Sequence, residues 1–153
     1  MIGTLVSFVV GLRPGAPIGL RSTNVGMMRS DVQMNLAEGT LNIGVIGAGR
    51  IGLVHLEAIG ACSRAVPIII SNPTVSKAEK AASAFPGMEF TGDAMEVINH
   101  PDVEAVWICS PSQFHSEQII ACADAGKHVF CEKPIATDLA ATVEAVVTPA
   151  GVV

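Results

Sequence analysis

The sequence predicts an α/β domain built on a doubly wound parallel sheet. Strand-like and helix-like segments alternate five times between Leu41 and Val147, the rhythm of βα units. The strand-like segments are continuous apolar runs rather than alternating ones, so both faces of the sheet are expected to be covered. Right-handed crossovers through the intervening helices then wind the sheet in both directions.

LNIGVIG (41–47) is the first strand: short, apolar and β-branched. GAGRIG follows and opens a helix to about Ala61, with Ile51, Val54, His55 and Ile59 on roughly one face. VPIIIS (66–71) is the second strand, broken by Asn72 and Pro73. Ser76 and Glu79 have the spacing of a capping box, opening a helix that runs to about Phe85 and stops at Pro86-Gly87. MEFT (88–91) is a third, short strand, and Asp93 caps a helix over 94–99 before the turn His100-Pro101-Asp102. EAVWIC (104–109) is the fourth strand, ended by Ser110-Pro111-Ser112. A helix over about 116–125 closes on Gly126 as its C′ residue, and HVFC (128–131) is the fifth strand. Asp138 caps a last helix to about Val147, which Pro149 prevents from continuing.

Residues 1–40 read differently, as a leader or disordered extension, which leaves 41–153 as the domain. Residues 1–30 contain no Asp or Glu but carry Arg13, Arg21 and Arg29. MIGTLVSFVVGL has no preceding Lys or Arg, as a secretory signal requires, and is too short to span a bilayer. The segment is either an organelle transit peptide or a mispredicted 5′ extension. The expected location is the cytoplasm, or an organelle in the first case.

Composition narrows the function. Half the residues are hydrophobic and 15% are charged, too apolar for a disordered chain. A net charge of −5 with scattered Lys and Arg argues against nucleic acid as a partner. No apolar stretch reaches the ~18 residues of a membrane span. Cys62, Cys109, Cys122 and Cys131 form no C-x-x-C pair, and three of them lie in apolar runs. Reduced, buried cysteines of an intracellular protein are expected, with no metal site.

GAGRIG comprises Gly47, Ala48, Gly49, Arg50, Ile51 and Gly52, and matches G-x-G-x-x-G. The preceding strand and following helix give it the context of a dinucleotide-binding turn. Gly47 permits the tight turn, Gly49 lets a pyrophosphate approach the backbone, and Gly52 lets the helix pack on the strand. The helix N-terminus offers free N–H groups and partial positive charge to phosphate. An acidic residue should follow the second strand and hold the adenosine ribose. Asn72 stands there instead, and no Asp or Glu occurs between Glu57 and Glu79. Asn72 is either a ribose ligand or a turn residue before Pro73. It carries no charge to repel a 2′-phosphate, and Arg50 favours one, so NAD is expected with NADP open.

CSPSQFH (109–115) leaves the fourth strand at the edge where such folds bind ligands. Cys109, Ser110, Pro111 and Ser112 are placed to reach the nicotinamide ribose. His115 is either part of that contact or a structural residue at the helix start; His55, His100 and His128 receive no role. Glu132, Lys133 and Pro134 follow the fifth strand on the same rim. Lys133 there hydrogen-bonds a substrate hydroxyl with Glu132 holding it, or the two are a surface ion pair of little worth.

IGVIGAGRIG, CSPSQFH and AGKHVFCEKPIATDL, in this order and spacing, resemble the Gfo/Idh/MocA oxidoreductases, and the GAGRIGxxH and AGKHVFCEKP stretches are particularly similar to the inositol 2-dehydrogenase branch. The resemblance covers about 41–153. It implies a Rossmann domain binding NAD or NADP, followed by an α/β domain that supplies most of the substrate site and a homo-oligomer interface. It implies reversible hydride transfer between a sugar or polyol hydroxyl carbon and the nicotinamide. Lys133 matches the family's catalytic EKP lysine, with a cis Lys133–Pro134 peptide, and His115 matches the histidine of its post-strand loop. Asn72 departs from the family's usual Asp. Relatives continue beyond AGVV into a domain carrying an aspartate and the acid/base histidine, which nothing here matches. An ordinary lysine is protonated near neutral pH and would replace that histidine poorly. The chain is therefore read as a truncated, inactive dinucleotide-binding domain; the alternative is a non-catalytic Rossmann remnant that binds a dinucleotide or a protein partner.

Overall fold

A computed structural model describes Phe8–Val10 and residues 39–147. Six strands form one sheet in the order β1-β6-β5-β2-β3-β4. They are β1 (Phe8–Val10), β2 (Leu41–Ile46), β3 (Ala65–Ser71), β4 (Glu89–Thr91), β5 (Ala105–Ile108) and β6 (His128–Cys131). Strands β2 to β6 are mutually parallel, as the sequence predicts, and the order runs outward from β2 in both directions. Five helices connect and cover them: α1 (Arg50–Gly60), α2 (Val75–Ala82), α3 (Ala94–Ile98), α4 (His115–Asp124) and α5 (Leu139–Val147).

Strand β1 corrects the exclusion of residues 1–40 from the fold, for three residues. Phe8–Val10 pairs antiparallel with β6, Val9 opposite Phe130. The physical reason is the open edge: β6 would otherwise present a row of unpaired N–H and C=O groups, and an aromatic, β-branched FVV segment can satisfy them. The readings made for residues 1–7, 11–38 and Pro149 lie outside the described residues.

The core has two layers. Ile43, Val45 and Ile70 face α1 and α2, where Leu56, Ile59 and Ala78 meet them. Ile46, Val106, Ile108 and Val129 face the other helices, against Val97, Ile119 and Ala145. The central strands β2, β3 and β5 are covered on both faces and are apolar over most of their length, whereas β4 at the edge leaves Glu89 and Phe90 exposed.

Three local expectations need revision. The buried stripe of α1 is Gly52, Leu56 and Ile59; Ile51 and Val54 are 45% and 57% exposed. The stripe is phased by Gly52, which must lie against the strand turn. Ser76 does not cap α2, which starts at Val75 with Thr74 at its N-cap and no side-chain cap bond. The Asn72 amide, donating to the Thr74 carbonyl at 3.1 Å, shapes that entry instead. The helix closes at Ala82, short of Phe85. The caps by Asp93 and Asp138 form, accepting from Met95 N and Ala141 N at 2.8 Å each. Gly126 has the positive φ, 69°, expected of a C′ glycine.

Candidate functional site: three loops on the carboxyl edge of the sheet

The glycine turn is sewn between two strands. Gly47 N donates to the Ser71 carbonyl of β3 at 2.8 Å, while Cys109 N, just past β5, donates to the Ile46 carbonyl at 2.7 Å. Gly47 has φ +105°, and a Cβ there would lie 2.6 Å from the Cys109 carbonyl oxygen. A Cβ on Gly52 would lie 1.9 Å from the Gly47 carbonyl oxygen. Only glycine fits at either position. Gly49 differs: a Cβ there would meet no heavy atom within 4 Å. It leaves open space in front of a helix that has neither a side-chain cap nor an acid in its first turn. The N–H groups of Arg50, Ile51 and Gly52 have no intrahelical acceptor, and the helix dipole makes this end positive. The space and the free donors together fit a pyrophosphate.

Asn72 braces this turn from β3. Its Oδ1 accepts from Ala48 N at 3.2 Å and its Nδ2 donates to Thr74 O at 3.1 Å. One donor and one acceptor position of the amide are therefore spent on the loop itself, as in a turn residue.

The second loop, Cys109 to Ser112, is tied to the third by His115. The imidazole is 1% exposed. Its Nε2 lies 2.8 Å from the Ser110 carbonyl and its Nδ1 2.7 Å from the Pro134 carbonyl. Both nitrogens face backbone oxygens, so the side chain has none to spare for a ligand. It holds two rim loops at a fixed separation. Ser110 Oγ donates to Gln118 Oε1 at 2.6 Å, fastening the same loop to α4. Pro111 precedes the short 3-10 turn Ser112–Phe114 that leads into that helix.

In the third loop the Lys133–Pro134 peptide is cis, as the resemblance implies. Glu132 does not hold the Lys133 ammonium. Its Oε2 accepts from the Lys133 backbone N–H at 3.2 Å, and its Oε1 lies 2.6 Å from His55 Nε2. His55 is the residue that sequence reasoning missed. It projects from α1 over β5 and β6, with its ring centroid 5.9 Å from Trp107 and 5.6 Å from Phe130. Those two rings stack at 3.9 Å. Its partner Glu132 lies 77 positions away, so no local pattern marked it. Lys133 itself is exposed on the rim, as is Arg50.

Three of the four thiols are held in their unreactive protonated form. Burial first, then the nearby Glu132 carboxylate, pushes Cys109 and Cys131 up to about 12 from an ordinary 9.0, and burial does the same to Cys122. Cys62, expected to be buried, is exposed just past the end of α1. Iodoacetamide should therefore modify Cys62 first in the folded chain, because the thiolate is the nucleophile and access is required; peptide mapping would show it. The raised values also set a pH dependence. The unfolded thiols lose their protons near 9 while the folded ones keep them to about 12. Over that interval the unfolded state binds fewer protons, so stability falls as pH rises. Urea midpoints across this range should fall less steeply in a Cys109→Ala, Cys131→Ala chain.

Among the described residues no group of three or more His, Cys, Asp or Glu is arranged to hold a metal ion. No helix among them is long and apolar enough to cross a membrane.

A parallel sheet that reverses direction at β2, with a glycine turn feeding a helix N-terminus and two more loops on the same edge, is a nucleotide-binding Rossmann domain. The pattern described as "Oxidoreductase family, NAD-binding Rossmann fold" matches residues 41–150, and the chain belongs to this Gfo/Idh/MocA family. It is 37% identical over 107 residues to an inositol 2-dehydrogenase of Rhodococcus jostii, covering 69% of this chain and 29% of that enzyme. It is 41% identical over 100 residues to a myo-inositol 2-dehydrogenase of Thermotoga maritima, covering 65% and 30%. The crystal structure of scyllo-inositol dehydrogenase from Lactobacillus casei with bound NAD(H) and scyllo-inositol superposes with a TM-score of 0.67. It is 34% identical, and the match covers 72% of this chain and 34% of that one. The chain thus spans about 30% of the length of the curated relatives it matches.

Proposed function

We propose that the chain is the dinucleotide-binding part of an inositol-dehydrogenase-like oxidoreductase. In this reading the reaction is hydride transfer between a hydroxyl-bearing carbon of a cyclitol or sugar and NAD(P). The observation that carries the proposal is the cradle at Gly49, an uncapped helix end with open space before it, on the same edge as Lys133. The bound dinucleotide supplies the hydride acceptor. The residues of this chain supply the rest of its half of the site. The first-turn N–H groups of α1 bind the pyrophosphate, and Asn72 keeps the glycine turn in shape. The Ser110–Ser112 loop flanks the nicotinamide ribose. Lys133 donates a hydrogen bond to the substrate hydroxyl, and its charge lowers the pKa of that hydroxyl. Glu132, anchored by His55, fixes the backbone from which Lys133 extends.

Oxidation breaks the O–H bond as the C–H hydride leaves, so a group must accept the proton. A lysine ammonium donates and cannot accept. Residues 1–153 alone are therefore expected to bind a dinucleotide without turning over. The check is NADH formation at 340 nm from myo-inositol and NAD by the purified chain. No inositol-dependent rate is expected, and a sustained one that Lys133→Met abolishes would place a complete acid/base system within these residues and contradict the proposal.

A further inference from the structure

We propose that the cleft between α1 and α2 is a binding site for a phosphorylated adenosine, specifically for the 2′-phosphate that distinguishes NADP(H) from NAD(H). The inference rests on the dinucleotide-binding reading and extends it to the adenosine end. A cleft of about 650 Å³ opens beside Ala48 and Gly49, with Leu53 and Phe85 among its apolar lining. Arg50, Lys77 and Lys80 line the same cleft, against one carboxylate, Glu57.

Three further observations point to an anion. Lys77 and Lys80 lie three residues apart on α2, so they share a helix face. Among the described residues none of the three cations is paired with a carboxylate. The residue that follows β3 is Asn72, and no Asp or Glu lies between Glu57 and Glu79 to repel a phosphate. A carboxylate at the end of the second strand selects a free ribose hydroxyl, whereas a nearby arginine accommodates the 2′-phosphate. Here the carboxylate is replaced by a neutral amide already bonded to Ala48 N, and the cations are present. An apolar wall with a cationic rim complements a purine nucleoside bearing a phosphate.

The test is parallel titration of the purified chain with NADH and NADPH, followed by competition with adenosine 2′,5′-bisphosphate and with ADP. One or two charge-assisted contacts give roughly tenfold or more in favour of NADPH. The 2′,5′-bisphosphate should be the better competitor, and NADPH affinity should fall more steeply with salt than NADH affinity. In a Lys77→Ala, Lys80→Ala chain the ratio of the two affinities should fall by about tenfold. Asn72→Asp, which can still accept from Ala48 N, should move the ratio the same way. NADH bound as tightly as NADPH would overturn this assignment and leave the dinucleotide reading intact. A preference for NADPH that survives the double lysine substitution would remove the cleft from it. Failure of the folded chain to bind either cofactor would overturn both readings together.

Discussion

Gly52→Ala is expected to remove dinucleotide binding, with affinity for NADH lowered by about a hundredfold or more, since displaced cradle donors lose several charge-assisted bonds. The alanine methyl would lie 1.9 Å from the Gly47 carbonyl oxygen. That neighbour is backbone and cannot rotate away. Relief requires α1 to lift from the turn, carrying with it the N–H groups that form the cradle. Such overpacking also costs about 1–3 kcal/mol of stability. Gly49→Ala separates the two effects. Its methyl meets nothing within 4 Å in the folded chain, and its φ of −81° suits alanine. Stability should therefore stay within about 1 kcal/mol of the parent, while the methyl occupies the space that the pyrophosphate needs. Urea unfolding and NADH fluorescence titration of both variants give the comparison. A Gly52→Ala chain that binds NADH like the parent would show that the helix start is not where phosphate is held.

His115→Leu should be the most destabilising substitution on the rim. The parent imidazole is fully buried between the Ser110 and Pro134 carbonyls. A leucine fills similar volume but donates nothing. The part-buried carbonyls of Ser110 and Pro134 lose the imidazole that stands between them, at about 1–3 kcal/mol for the one left without a donor, and the second and third loops are freed to separate. Since these loops carry Ser110, Ser112 and Lys133, NADH affinity should fall by about tenfold in the fraction that remains folded. His115→Gln keeps an N–H donor and should lose less on both counts. If His115→Leu melts with the parent's midpoint, the two carbonyls are satisfied some other way and the staple is not structural.

These contacts explain what could be read from the sequence and what could not. The parallel sheet was legible because the central strands are apolar over most of their length, a property visible within six residues. The three glycines of the turn were legible because their requirements are local: a positive φ, a close approach, an open space. The Asp93 and Asp138 caps join residues two or three positions apart, within reach of a pattern. What escaped was non-local. The His55–Glu132 pair spans 77 positions and the Ala48–Asn72 bond spans 24; no periodicity reveals either. The α1 face was misjudged by weighing apolar residues alone. Had the helix been phased by Gly52, which must touch the strand turn, Leu56 and Ile59 would have followed at four and seven residues on. Ser76 and Glu79 matched a capping pattern, but Asn72 had already shaped the turn and Val75 entered the helix first. Strand β1 lay in a segment judged by its charge and by its fit to a signal or a membrane span, while the open edge of β6 that receives it is a property of the folded sheet.

The most direct measurement is a ¹⁵N-HSQC titration of the labelled chain with NADH. Saturable shift changes are expected at Gly47 to Gly52, Cys109 to Ser112 and Glu132 to Lys133, three segments far apart in sequence and adjacent on the carboxyl edge. A well-dispersed spectrum that NADH leaves unmoved, or changes confined to residues away from these three loops, would contradict the assignment of this edge as a dinucleotide site.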